Sequence, residues 1–407
     1  MRVTGSTRTR PRAAMIPPSA VHAIYRSVNA WQARTGREAA RLDVGEPAFA
    51  PPPEAVEALV DAVRSGRTGY TSAEGLTELR VALAAKLAGQ GHDTGPDRVL
   101  VCTGAAQGLT SLLMSLADPG DEILLPALHW PIHLQQSMLA GLRPVCYPLD
   151  GHGLPDPAVL RTLGGPRARV LLLNSPANPS GAVYDRELIA ALLEVARERD
   201  WQVVSDEAYE HFAYDVPHTC VAELEADLPP GDRRVSTVYS FSKSYAMTGY
   251  RLGYIALPDD ERATTFRVVQ EAAILSSPTP VQYAGLAALA TDAAQANRAR
   301  VASSRQALAP LVDAGLLNRL PAGGWFAMLD LAGVGGGDAE RFAAALLEEE
   351  AVALAPARGF ALHPGPDGGL EADPGTASRL RLAFCGDPAV VGAAATRVAE
   401  FAKRWRS

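Results

Sequence analysis

Residues 235–253 read VSTVYSFSKSYAMTGYRLG. The opening run Val235–Tyr239 is short, apolar and β-branched, which predicts a buried strand. It gives way to two hydroxyls and an amine, Ser240, Ser242 and Lys243. Arg251 follows eight residues after the lysine, inside Gly249-Tyr250-Arg251-Leu252-Gly253. A lysine held at the end of a buried strand can form a Schiff base with an aldehyde. Hydroxyls and a forked guanidinium close by can hold a phosphate. The stretch therefore asks for a small molecule with one aldehyde and one phosphate.

Working outward, residues 98–260 alternate short apolar runs with helical patterns. Strands are predicted at Arg98–Thr103, Glu122–Leu125, Pro144–Leu149, Arg169–Asn174, Gln202–Ser205, Val235–Phe241 and Gly253–Leu257. Helices are predicted between several of them, at Ala106–Ala117, Pro131–Ala140 and Asp185–Arg199. Continuous apolar strands separated by helices predict an α/β fold, a mostly parallel seven-stranded sheet with helices on both faces. Chemistry in such sheets collects beyond the carboxyl ends of the strands. The polar residues that follow each run, from Thr103-Gly104 to Ser242-Lys243, should therefore meet in one cleft.

The C-terminal part has its own strands (Trp325–Leu331, Val352–Ala355, Leu380–Phe384) and helices (Ala339–Glu350, Pro388–Lys403). It reads as a smaller α/β domain on which an N-terminal helix, Ser19–Thr35, packs. The expected division is a flexible tail at 1–14, an N-terminal segment at 15–48, a large domain at 49–290 and a small domain at 291–407. Pro364–Ala377, rich in Gly, Pro and Asp, is expected to be an exposed loop.

With 407 residues, 47% hydrophobic and 20% charged, the chain can bury more than one core. A formal charge of -7 and a pI near 5.7 argue against a nucleic-acid surface. No apolar run approaches the ~18–20 residues of a membrane span. Arg2, Arg8, Arg10 and Arg12 precede no apolar core, unlike a signal peptide. Cys102, Cys146, Cys220 and Cys385 lack CxxC spacing and sit among apolar residues, which fits buried thiols in a reducing cytoplasm.

Further residues carry chemistry. Asp206 ends a buried strand in Val203-Val204-Ser205-Asp206-Glu207-Ala208-Tyr209, where a carboxylate needs a partner such as a ring N–H. Thr103-Gly104-Ala105-Ala106-Gln107 passes from strand to helix and offers free amides to an anion. Asn174-Ser-Pro-Ala-Asn178-Pro-Ser-Gly181 predicts a tight loop. Arg379 and Arg381 alternate onto one face of a strand, and either can receive a carboxylate. His129 and His133 have the i, i+4 spacing of a metal pair, but no third ligand is near, and no metal is expected.

These motifs, from Gly45-Glu46-Pro47 to Arg381, resemble the class I/II aminotransferases, pyridoxal 5′-phosphate (PLP) enzymes of fold type I in the aspartate-aminotransferase-like group. Residues 174–181 resemble the family's NxPxNPTG, with serine for threonine. The resemblance implies that Lys243 is the aldimine lysine and the general acid/base. It implies that Asp206 pairs the ring nitrogen, that Tyr209 and Asn178 reach the ring's phenolic oxygen, and that Trp130 stacks on the ring. Gly104, Ala105, Ala106, Ser240, Ser242 and Arg251 would hold the phosphate. Tyr70, in Gly69-Tyr70-Thr71, would reach a neighbouring subunit's phosphate, making the active unit a homodimer. Arg381, with Gly45 and Asn178 beside it, would take the substrate α-carboxylate, and Ser19 and its neighbours would line the mouth. His133 would stand behind Asp206.

The implied activity is ping-pong transfer of an amino group between an L-amino acid and a 2-oxo acid. The same residues serve C–S β-lyases and cyclopropane-carboxylate-type synthases, and the fold also occurs in non-catalytic binding proteins. Against the last stand the full set of catalytic residue types and the lack of a helix-turn-helix pattern before Gly45. The donor is left open, because no distal cation for a dicarboxylate can be placed. His129 and His133 suggest an altered pocket.

Overall fold

The computed structural model describes residues 11–365, 367 and 369–405. Seven strands form the main sheet: β1 (Val99–Cys102), β2 (Glu122–Pro126), β3 (Arg143–Tyr147), β4 (Ala168–Asn174), β5 (Gln202–Asp206), β6 (Val235–Ser240) and β7 (Gly253–Ala256). Their order is β1-β7-β6-β5-β4-β2-β3. All neighbours are parallel except β7, which runs antiparallel to both β1 and β6.

The sheet is buried on both faces because its strands are apolar at successive positions. In β4, Leu171 and Leu173 pack with Ile189 and Leu192 of the helix Arg186–Glu198. Val170 and Leu172 point the other way, toward Leu109 and Leu112 of the helix Gly104–Leu116. That two-sided burial explains the unbroken hydrophobic runs.

A second sheet orders β8 (Phe326–Asp330), β9 (Ala355–Pro356) and β10 (Arg379–Ala383), with β10 antiparallel between the other two. Its core includes Trp325, Phe342, Leu346, Leu380 and Phe401. The expected strand Val352–Ala355 is two pieces. Val352–Ala353 pairs in parallel with Ala40–Arg41, and only Ala355–Pro356 joins the second sheet. The helix Ala20–Thr35 turns its Ala20 against Gly359 of this part of the chain.

One expectation needs correction. Within Pro364–Ala377, expected to be loop, Leu370–Ala372 pairs antiparallel with Leu362–Pro364, and Pro374–Thr376 is a 3-10 turn. Of the expected tail, residues 1–10 lie outside the described residues. Arg12–Met15 forms a 3-10 turn near the helix Pro131–Ala140, where Gln135 donates to the Pro17 carbonyl.

Candidate active site

The carboxyl ends of β4, β5 and β6 open onto a cavity of about 270 Å³. Strand ends and the turns after them supply Asn174, Asn178, Asp206, Tyr209, Ser240 and Lys243. Ser242 and Arg251 join them, as do Ala105, Ala106 and Trp130 from two helix starts. Arg381, Phe326 and Gly45 close the cavity from the side of the smaller sheet. Strand-end residues from Ala105 to Lys243 thus meet in one cavity, and Gly45 and Arg381, over 300 positions apart, join them from outside the main sheet.

Lys243 sits in a single helical turn, Phe241–Ser244, just past β6 rather than on the strand itself. Its Nζ donates to the Gly45 carbonyl at 3.3 Å and lies 5.0 Å from the Trp325 ring centre and 5.7 Å from that of Tyr209. Burial pushes the amine down from its ordinary 10.5 to about 8, helped by the positive charges of Arg381 and Arg251 and opposed by Cys385 and Glu46. The other lysines are Lys86 and Lys403. Lys86 is committed to a bidentate ion pair with buried Glu210, and Lys403 lies in the last helix.

Asp206 is the last residue of β5. One carboxylate oxygen is 2.8 Å from His133 Nε2, and the other accepts the Ala208 amide at 3.1 Å. His133 is fully buried and lies edge-on to Trp130, with ring centres 5.3 Å apart. The histidine therefore backs the carboxylate instead of lining the cavity. His129 has both ring nitrogens at backbone carbonyls, those of Trp130 and Leu362, and is not among the residues that line the cavity. Asn174 donates to the Asp206 carbonyl and accepts the Asn178 amide, locking the 174–181 loop to β5. That loop holds cis peptide bonds at Ser175–Pro176 and Asn178–Pro179. Tyr209 packs edge-on to Trp325 and Phe326, and burial pushes its phenol well above the ordinary range.

A third group suits an anion. Gly104 has a φ of +75°, and a Cβ there would lie 2.5 Å from Arg251 Nη2, so only glycine lets the arginine reach the helix start. Gly253 is also obligatory, since its Cβ would meet the Ala105 amide nitrogen at 2.5 Å. Arg251 donates to the Thr248 carbonyl at 2.8 Å, and Ser240 Oγ accepts the Ser242 amide. Free helix amides, hydroxyls and a guanidinium form an anion cradle.

Arg381, 2% exposed, donates to the Asp43 carbonyl and to Asn178 Oδ1 at 2.6 and 3.3 Å. Burial pulls it down to about 10. Arg379 lines a different cleft, of about 330 Å³, with Ser180, Arg319 and Asp373. Geometry therefore separates two arginines that alternation could not. Tyr70 is 86% exposed and does not line its own chain's cavity.

Sequence reasoning missed Trp325, Phe326 and Phe360 as site neighbours, and gave Val21 and Thr248 no role of their own. Val21 and Thr248 line the cavity. Phe326 follows Gly323-Gly324-Trp325, and that glycine pair before an aromatic strand start was the available signal. Phe360 carried none.

The residue set suits PLP: an amine for its aldehyde, a backed carboxylate for its ring nitrogen and a glycine-shaped cradle for its phosphate. The family model for aminotransferase class I and II matches residues 37–398, and the chain belongs to that family. It is a PLP-dependent transaminase of the aspartate-aminotransferase-like group. It is 33% identical over 372 residues to an aspartate aminotransferase of Musicola paradisiaca, covering 88% of each chain. A bifunctional aspartate aminotransferase and glutamate/aspartate-prephenate aminotransferase of Petunia hybrida is 40% identical over 253 residues, 61% of this chain and 52% of that protein. The solved aspartate aminotransferase of Thermus thermophilus with maleate superposes with a TM-score of 0.85 at 30% identity, covering 98% of this chain and 100% of that one.

Proposed function

We propose that this transaminase moves an amino group between an L-amino acid and a 2-oxo acid in two successive half-reactions at one site, with Lys243 as the residue that both attaches the cofactor and carries the proton at the substrate Cα. One observation carries this reading: Lys243, Asp206, Arg251 and Arg381 come from distant segments and line one cavity. Bound there, PLP supplies an aldehyde for the amine and an electron-withdrawing ring.

The chain's residues supply the rest. Asp206, fixed by His133 and the Ala208 amide, holds negative charge for the ring nitrogen's proton. Arg251, Ser240, Ser242 and the Gly104–Ala106 helix start take the phosphate. Tyr209 and Asn178 serve the phenolic oxygen, and Trp130 covers the ring. Arg381 grips the α-carboxylate next to the Gly45 backbone. Lys243 moves its proton with a weakened basicity suited to neutral pH.

The active unit is a homodimer in which Tyr70 completes the neighbouring phosphate site. Supporting this, Tyr70 projects from its own chain, and the helix Pro53–Arg64 exposes Val56, Val60 and Val63 at i, i+4 and i+7. A reducing, cytoplasmic setting fits the four free cysteines. Among the described residues no helix is long and apolar enough to cross a membrane.

Aspartate is the first donor to test, because the relatives above are named for it. An amino donor alone should shift the visible cofactor band, and a 2-oxo acid should restore it. Release of ammonia with no restorable shift would instead assign a lyase.

A further inference from the structure

The Arg381 guanidinium packs against two aromatic rings. Its Cζ lies 4.4 Å from the ring centre of Phe326 and 4.4 Å from that of Phe360. Phe326 begins β8, where it pairs with Ala383 beside Arg381. Phe360 ends the 3-10 turn Ala357–Phe360 and is fully buried. Its carbonyl accepts the His129 amide at 2.8 Å, and the nearby Leu362 carbonyl meets His129 Nε2 at 3.1 Å. The ring on Arg381 is therefore stitched to the loop that carries Trp130.

At the guanidinium edge, Nη2 is taken by the Asp43 carbonyl and Nη1 makes one long bond to Asn178. Nε is buried without a partner among the described residues. A buried N–H without an acceptor is costly, which favours an incoming acceptor at this edge. A guanidinium whose carbon lies over two rings receives a carboxylate best through its N–H edge, in the plane of the fork.

We propose that Phe360, together with Phe326, is a positioning residue for substrate: the two rings fix the plane of the Arg381 guanidinium and so set how the α-carboxylate of donor and acceptor is received. This rests on the reading that Arg381 takes that carboxylate. Phe360 acts through the arginine and is not itself a wall of the cavity. An aromatic ring suits the role because its face attracts the cation and is flat enough to hold a planar group. An aliphatic side chain of similar size fills the space but gives neither.

The test compares Phe360→Met and Phe360→Tyr with Arg381→Ala. In Phe360→Met, KM should rise about 2- to 30-fold, the span from an exposed to a desolvated cation–ring contact. It should rise alike for donor and 2-oxo acid, since one arginine serves both, while kcat changes less. The dissociation constant of propionate, read from the visible cofactor band, should rise in parallel. Phe360→Tyr should recover most of the loss. Unchanged KM and propionate affinity in a folded Phe360→Met would overturn the role of the rings while Arg381→Ala still raised both. If Arg381→Ala left KM and propionate binding intact, the carboxylate reading itself would fail. Should Phe360→Met not fold, ¹⁵N-arginine spectra of the native enzyme decide, with Arg381→Ala used for assignment. Slow rotation of the Arg381 guanidinium is expected, and free averaging would overturn the proposal.

Discussion

The acidity of Lys243 can be tested in the apoenzyme by varying pH. The side chain is enclosed by Trp325, Tyr209 and Gly45, and burial lowers its pKa to about 8, against 10.5 for an ordinary lysine. At pH 7 about one amine in ten is then neutral, against about one in three thousand for an exposed lysine, a ratio of roughly 300. Only the neutral amine attacks an aldehyde. The assay is the rate at which apoenzyme captures pyridoxal, which lacks the phosphate and so removes that group's titration. The rate should climb about tenfold per pH unit and level off near pH 8. A linked effect should appear in stability. Between about pH 8 and 10.5 the unfolded chain holds a proton that the folded chain does not. Folding is therefore favoured as pH rises through that window, by at most about 3 kcal/mol from this group. A capture rate that keeps climbing without a break to pH 10 would refute the claim that the fold desolvates this amine.

Three other outcomes follow from the same geometry. Asp206→Ala should weaken cofactor binding and lower turnover by several orders of magnitude, because His133 and the Ala208 amide lose the charge they position; near-normal turnover by steady-state kinetics would remove the ring-charge argument. Gly104→Ala forces a left-handed φ on a residue with a Cβ, costing about 1–2 kcal/mol, and displaces Arg251. The cofactor's dissociation constant, followed by fluorescence quenching, should rise about tenfold or more; an unchanged value would separate Arg251 from the phosphate site. For Tyr70, mixing and refolding Tyr70→Ala with Lys243→Ala should restore roughly a quarter of native activity, since half the dimers are hybrids with one complete site. No recovery on mixing would mean that Tyr70 serves its own subunit.

The main sheet was legible because each strand is a short apolar run and each helix between them is periodic. The convergence of Lys243, Asp206 and Asn178 followed from the rule that places sites at strand ends. Short pairings were not legible. Ala40–Arg41 with Val352–Ala353 is two residues a side, too brief for a periodic signal, and the hairpin around Leu362 and Leu370 sits in turn-rich sequence. Side-chain facing also escaped. The spacing of His129 and His133 suggested a shared task, yet one meets backbone carbonyls and the other meets Asp206. Strand alternation left Arg379 and Arg381 equivalent; the resemblance pointed to Arg381, and the two clefts, which lie along one strand face but open to different spaces, separate them in the structure.

Attachment of the cofactor is the point on which the account stands. Lys86 and Lys403 are the only alternatives to Lys243 in the chain, so borohydride reduction of the holoenzyme, followed by peptide mass mapping, gives an unambiguous readout. A pyridoxyl mass confined to the peptide with Lys243 is the predicted result. The same label on the Lys86 or Lys403 peptide, or none on any lysine of an enzyme that still turns over, would contradict it.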